Sequence, residues 1–407
     1  MSTNIFTTSM VLDKLAKPSF AREFVRLMPN GSAPLFGLSS MLGEETAVQV
    51  EHGYWAKIML FPMVTTHSSI ILAATTTLTV ASTDNIIPGM ILQVTTTGEN
   101  ILVTAVASAT QLTVVRGVGT VAAADIAAST PLYQVGNAAE EGSQAPAPLR
   151  IDPVRIMNYT QIFRNSWSLT GTVQATEVMA GDTHMAENRT DCAGFHAADI
   201  EKALFFGQKY SGTRNNMPFR TMDGLISATT STAYYPSGSA SGNVTTAGAT
   251  TNYTQLEAML DPVFNQTTNP AMANERVLFV GGQALRVITQ IGRLNGTYQI
   301  MEGQTSFGMQ YQSFKTSRGT FRMIEHPLLN SNATWAKMAF AVDLSSFKMA
   351  YLNGRKTMNK EYNAQGQEFT NNAIDATGGT LTTECTAVFR NPAANAIIKN
   401  LTAGAQG

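Results

Sequence analysis

RIMNYTQIFRNSWSL, residues 155–169, runs without a turn signal into TGTVQATEVMAGDTHMAENRTDCAGFHAADIEKALFFG, residues 170–207, and the change of period at that junction decides the fold. In the first stretch Tyr159, Phe163 and Trp167 share one face by period two, as in a strand. From about Val173 the interval becomes helical. Val178, Met185, Cys192, Phe195, Ala203 and Phe206 form an apolar stripe, while Asp182, Glu187, Arg189, Asp191, Asp199, Glu201 and Lys202 mark a wet face. The spacing predicts one long helix over 173–206, with Gly181 and Gly194 as bend points where glycine costs about 1 kcal/mol relative to alanine. A helix of that length serves as a spine for other elements.

Upstream, QVEHGYWAKIMLFPMV (49–64) suits an extended segment and mirrors the return stretch 155–169, so the two read as arms of one long excursion. Between them the chain becomes Thr, Val, Ile, Ala and Gly with almost no charge. β-type runs at Thr77–Val80, Met90–Val94, Ile101–Val106, Gln111–Val115 and Leu132–Val135 alternate with turn signals such as Pro88-Gly89 and Gly117-Val118-Gly119, which predicts a small inserted β module. GNAAEEGSQAPAP (136–148) is its flexible return. Near the N-terminus, SFAREFVRLM (19–28) places Phe20, Phe24, Leu27 and Met28 on one face of a short helix that Pro29-Asn30-Gly31 ends.

Downstream, Lys209–Thr251 reads as an irregular loop ending in a Ser/Thr/Gly/Ala run. Thr254-x-x-Glu257 predicts a capping box for a helix that Pro262 should kink or end early. VLFV (277–280) reads as a buried strand, and a helix striped by Leu285, Ile288 and Ile291 follows Gly281-Gly282. MQYQSFK and TFRMI read as a hairpin, and strands are expected over Lys337–Val342, Phe347–Leu352 and Leu381–Phe389. The expected class is α+β.

Composition narrows function. The 407 residues are 44% hydrophobic, ample for two or three domains and a sizeable core. Lys plus Arg number 27 against 28 Asp plus Glu, so no basic excess points to a dedicated nucleic-acid binder. Only 14% of residues are charged, where an ordinary soluble domain has about 25%. Interface cores are depleted in charge in the same way, which points to a surface that meets other protein. The N-terminus lacks the pattern of a secretory signal, and the most apolar run, Tyr54–Val64, is too short to span a bilayer, so a cytosolic site of synthesis and no membrane partner are expected.

The chemistry-bearing residues form no recognisable machinery. Cys192 and Cys385 stand alone and read as buried thiols. The histidines His52, His67, His184, His196 and His326 include no H-E-x-x-H, and His184 and His196 would lie roughly 18 Å apart along a helix. The turn in VLFVGGQALRVI lacks G-x-G-x-x-G and the GK[ST] ending, so a tight strand-to-helix turn is favoured over a nucleotide site. Adjacent Glu140-Glu141 would not hold the separation of a catalytic pair. No catalytic, cofactor-binding or metal residue and no cofactor is assigned. The aromatics Tyr54, Trp55, Phe61, Tyr159, Phe163 and Trp167 fit a core or, if the arms form a thin ribbon, an interface.

EHGYW (51–55), the module from Gly89-Met90-Ile91-Leu92 to Arg116-Gly117, NYTQIFRNSWSLTGT (158–172) before the helix and IEKALFFG (200–207) at its end resemble, in order and wording, the major capsid proteins of tailed bacteriophages. The likeness is to the HK-ninety-seven-type fold, in a subfamily with a β insertion in the extended loop, and covers nearly the whole chain. It implies an N-terminal arm (1–34), extended loop arms (35–69 and 136–172), an inserted β module (70–135), a peripheral domain with the spine helix (173–253) and an axial α+β domain (254–407). It further implies a structural, non-enzymatic protein that self-assembles through hexamers and pentamers into an icosahedral or prolate head, its extended loop lying on a neighbouring subunit. The partners implied are portal, scaffold and decoration proteins and packaged double-stranded DNA held non-specifically; the implied locations are the virion and, during assembly, the host cytoplasm. Lys57 lies in the outgoing arm, but no motif supplies a cross-linking partner. A tail or fibre protein and a small-oligomer enzyme with a scattered site remain as alternatives.

Overall fold

The computed structural model describes residues 33–57, 62–67, 69–144, 148, 153–176, 183–231, 243–265, 274–294, 304–306, 309–362 and 375–405. The chain divides into two compact units, one of Met1–Tyr54 with Ile156–Gly407 and one of Trp55–Arg155. The helix expected over 19–28 and Phe61 lie outside the described residues.

The larger unit is built on two sheets. In the first, the strand Ala376–Phe389 pairs antiparallel along one edge with Gln161–Thr170, and along the other with Met358–Tyr362 and then Phe347–Leu352; Glu44–Ala47 adds parallel to Phe347–Leu352. The long strand begins five residues before the expected Leu381, straight through Gly378-Gly379. Its register sets Gly379 opposite Trp167, and a Cβ at Gly379 would stand 2.8 Å from the indole. That glycine makes room for a ring rather than breaking a strand.

The second sheet runs Val244–Thr246, Ala396–Lys399, Ala339–Val342, Glu275–Val280, Thr320–Glu325, Met309–Lys315, Gln304–Ser306. Both its faces are covered. Leu278, Val280, Ala341 and Ile398 share a core with Leu256 and Leu260 of helix Tyr253–Leu260 and with Val287, Ile288 and Ile291 of helix Gly282–Leu294. Phe279, Phe340 and Ile397 join the other core, with Ile200, Leu204 and Phe205 of the long helix and Phe163, Cys385 and Phe389 of the first sheet. A strand buried on both faces reads as an unbroken apolar run, which is why VLFV was legible.

Four local expectations are corrected. The long helix is His184–Phe206, started by Thr183, whose Oγ1 accepts the Ala186 N–H at 3.2 Å; Val173 belongs to a separate short helix, Gly171–Ala175. Its buried side is also turned from the expected stripe, so that Phe195 is 68% exposed while Glu201, assigned to the wet face, is fully buried. The helix after residue 251 is capped by Asn252 with Gln255, two residues before the expected box, and Glu257 instead accepts the Ser317 N–H at 2.8 Å. Pro262 acts as expected, since the α-helix stops at Leu260 and a 3-10 turn Asp261–Phe264 follows. Among the described residues of 209–251 the expected loop gives way to a hairpin Tyr210–Arg214/Met217–Thr221 and a helix Leu225–Thr230, while 232–242, with most of the Ser/Thr/Gly/Ala run, lie outside them.

The smaller unit is a six-stranded sheet, ordered Met63–Thr65, Pro131–Asn137, Met90–Val94, Asn100–Ser108, Gln111–Val115, Thr77–Thr79. A bridge between Thr66 and Val80 joins the two end strands, with Ala81 N–H donating to Thr65 O and His67 N–H to Thr79 O, so the sheet closes on itself and its edges disappear. Leu78, Leu92, Ile101, Val103, Leu112, Ile126 and Leu132 fill the interior at 0% exposure. A buried charge pair is bidentate: Arg116 Nε and Nη2 donate to the two oxygens of Glu99 at 2.7 and 2.8 Å, and the amides of Gly117 and Ala124 add two more donors.

Strands Glu51–Ala56 and Val154–Tyr159 pair as a two-stranded ribbon, and the chain passes between the units within it in both directions. Gly53 permits this pairing, because a Cβ there would collide with the Ile156 carbonyl oxygen. Gly53→Ala should therefore part the strands locally: hydrogen exchange is expected to accelerate in both while the two units keep their protection, and unchanged exchange in the ribbon would refute the reading.

Candidate assembly surface

Three of the five histidines, His52, His196 and His326, hold structural hydrogen bonds. His196 lies between sheet and helix; because Asn165 Oδ1 only accepts, ring Nδ1 donates to it (2.7 Å) and Nε2 accepts from Thr383 Oγ1 (2.7 Å). Burial holds this ring below the usual histidine range, with Asp199 opposing, so it stays neutral as a cross-brace. His326 Nε2 donates to Glu201 Oε1 at 2.8 Å, both residues fully buried, and His52 pairs with Glu45 at 3.2 Å. His67 and His184 sit on other elements, in the closed sheet and at the start of the long helix. Among the described residues no three of His, Cys, Asp and Glu converge to hold a metal ion.

Burial pushes the Cys192 thiol up, and burial with the neighbouring Glu384 carries Cys385 to about 12, so neither is a thiolate at physiological pH. The glycine turn is likewise occupied. Gly281 packs so close to Ala336 that a Cβ would stand 2.5 Å from its carbonyl oxygen, and the Gly282 N–H, the amide a phosphate would need, donates to Asn330 Oδ1 at 2.6 Å. Glu140 and Glu141 stay exposed. Among the described helices none is long and apolar enough to cross a membrane.

Large apolar side chains left outside the cores are the notable surface feature. The aromatic set of the two arms divides. Phe163 and Trp167 are core, Tyr54 donates its hydroxyl to Phe389 O at 2.5 Å, and Tyr159 lies half-buried beneath the Lys209 ammonium at 4.8 Å. Trp55, in the ribbon, is 67% exposed. The hairpin Tyr210–Arg214/Met217–Thr221 was missed in the sequence, although its two-residue turn Asn215-Asn216 carried the signal: both residues have positive φ (51° and 59°), as this tight turn demands and Asn tolerates. Its register sets Tyr210, Phe219 and Met217 on one face, all exposed, with the two rings 6.4 Å apart. A two-stranded hairpin with no further strand is marginal by itself, so an exposed aromatic face on it is a face to be covered.

The profile of the family described as SU10 major capsid protein matches residues 1–402. The protein named major capsid protein of Pseudomonas phage PaMx41 is 37% identical over 408 residues, spanning 98% of this chain and 95% of its own. Among solved structures, the capsid of a native GTA particle aligns with 96% of both chains at a TM-score of 0.47 and 9% identity, and a structure described as Mycobacterium phage Bobi aligns with 97% of this chain and 98% of its own at 0.45 and 10%.

Proposed function

This chain belongs to the SU10 major capsid protein family, and from that membership we propose that it is a structural, non-enzymatic subunit that self-assembles through hexamers and pentamers into the icosahedral or prolate head of a tailed phage. The observation that carries the reading is the pairing of a charge-poor composition with apolar side chains exposed on separate elements, Trp55, Phe195 and the Tyr210–Phe219 hairpin. Copies of the same chain supply the cover. Many modest contacts, each repeated by symmetry, close a container without any one being strong. The arms about the ribbon lie on a neighbouring subunit, 1–34 acts as an arm, 173–253 as the peripheral part and 254–407 as the axial part. Portal, scaffold and decoration proteins join the shell in the host cytoplasm, and a wall of net charge −1 encloses packaged double-stranded DNA without gripping it.

Negative-stain microscopy and light scattering of the purified chain test this. Rings of five or six, or closed shells, are expected; a sharp monomer peak that persists at high concentration would overturn it.

A further inference from the structure

The closed sheet of the smaller unit carries more apolar surface than its own core uses. Alternation sends Leu92, Ile101, Val103, Val114 and Leu132 inward, so the residues beside them point out. The registers align those outward residues across five neighbouring strands. Met63 faces Tyr133; beside them Val135 adjoins Ile91, Ile91 faces Leu102, and Leu102 faces Val115. Tyr133 and Val135 are 44% and 52% exposed, Met63 and Val115 are exposed, and Ile91 and Leu102 are half-buried. Gln93 and Asn100, hydrogen-bonded to each other at 3.3 Å, are polar members of this face, and Thr104 and Thr113, outward-facing beside Leu102 and Val115, add two neutral hydroxyls. None of these described residues carries an ionised side chain.

Residues 62–135 hold only Asp84, Glu99, Arg116 and Asp125 as charged residues and no lysine, and Glu99 and Arg116 neutralise each other in the interior. A charged partner would lose hydration here and find no counter-charge, whereas an identical belt meets this one with nothing to repel. We propose that the outer belt of Met63, Ile91, Leu102, Val115, Tyr133 and Val135 is a self-complementary interface, where the small unit of one subunit pairs with that of another. The inference rests on the shell reading, which brings copies together at high effective concentration and so lets a small neutral patch suffice.

Cysteine cross-linking in assembled particles tests the belt. Ile91→Cys and Leu102→Cys sit at its centre, Thr110→Cys at an exposed turn away from it is the control, and the natural Cys192 and Cys385 are buried and do not compete. Oxidation with copper-phenanthroline is expected to put more than half of the belt-cysteine chains, and few control chains, into dimers on non-reducing gels, and Tyr133→Lys with Val115→Lys added should abolish them. Particles that form normally while belt cysteines stay monomeric would overturn the pairing and leave the shell reading intact. Belt cysteines that are shielded from maleimide by a different co-purifying polypeptide, without dimers, would overturn it too. Failure of the unmodified chain to form particles, read separately by light scattering, would strike the shell reading itself.

Discussion

Glu201→Ala should lower the stability of the larger unit by about 3–5 kcal/mol, the cost of stripping one member from a fully buried polar cluster. The Glu201 carboxylate, near the end of the long helix, accepts three hydrogen bonds: from the Leu35 and Phe36 amides at 2.8 and 2.7 Å and from His326 Nε2 at 2.8 Å. It thereby caps the first turn of helix Pro34–Ser39 and ties the segment after strand Thr320–Glu325 to the spine. Alanine would leave two amides and an imidazole without an acceptor and open a cavity beside the His326 ring, which packs against Phe205 and Phe279. Glu201→Gln keeps the volume but turns an N–H2 toward donors, so it should recover only part of the loss. Differential scanning fluorimetry should register a fall of roughly 10 °C for Glu201→Ala, given about 2–4 °C per kcal/mol for a unit of this size. A shift under 1 °C would show that the cluster contributes nothing.

Arg116→Met should be nearly as costly, but in the other unit. Glu99 is wholly buried and holds both Arg116 nitrogens, while Arg116 also donates to Leu72 O and Ala124 O, pinning two loops to the strand end. Removing the guanidinium leaves a buried carboxylate with two amide donors, again about 3–5 kcal/mol. Thermal unfolding should then separate into an early transition for Trp55–Arg155 and an unshifted one for the remainder; a single unshifted transition would refute it. The pair also gives a pH dependence. Burial by itself would raise the Glu99 carboxyl, but Arg116 and the Ala124 and Gly117 amides outweigh it and hold it below the ordinary 4.5. A depressed carboxylate stabilises above its unfolded pKa and loses that contribution as pH falls through the folded one. The smaller unit should therefore weaken below about pH 4.5, and Arg116→Met should flatten that acid limb.

Period and composition carried much of the architecture. Strands Met90–Val94 and Gln111–Val115 fall at the expected bounds because burial alternates along each, and Phe347–Leu352 does so because its run, apolar but for Lys348, meets Asn353-Gly354. The long helix was legible as a helix, yet not its orientation. Its sequence is rich in alanine and short polar residues, so the stripe through Phe195 looked as apolar as the true buried side, which includes His196 and Glu201. Those two polar groups become core residues only because Asn165, Thr383, Leu35, Phe36 and His326, distant in sequence, bring partners to them.

The same limit governs the surface. The linear order of paired strands, a β-rich stretch, a long helix and a mixed α and β stretch, together with a low charge content, is set by residue type and spacing, which are local properties. Which outward residues align into a belt, which glycine clears space for an indole, and which carboxylate is satisfied in the interior depend on strand register and on contacts between segments far apart in the chain. Hydrogen bonds and close packing act over a few ångströms in space, whereas periodicity reports only on neighbours along the chain, so these features came from the tertiary structure alone.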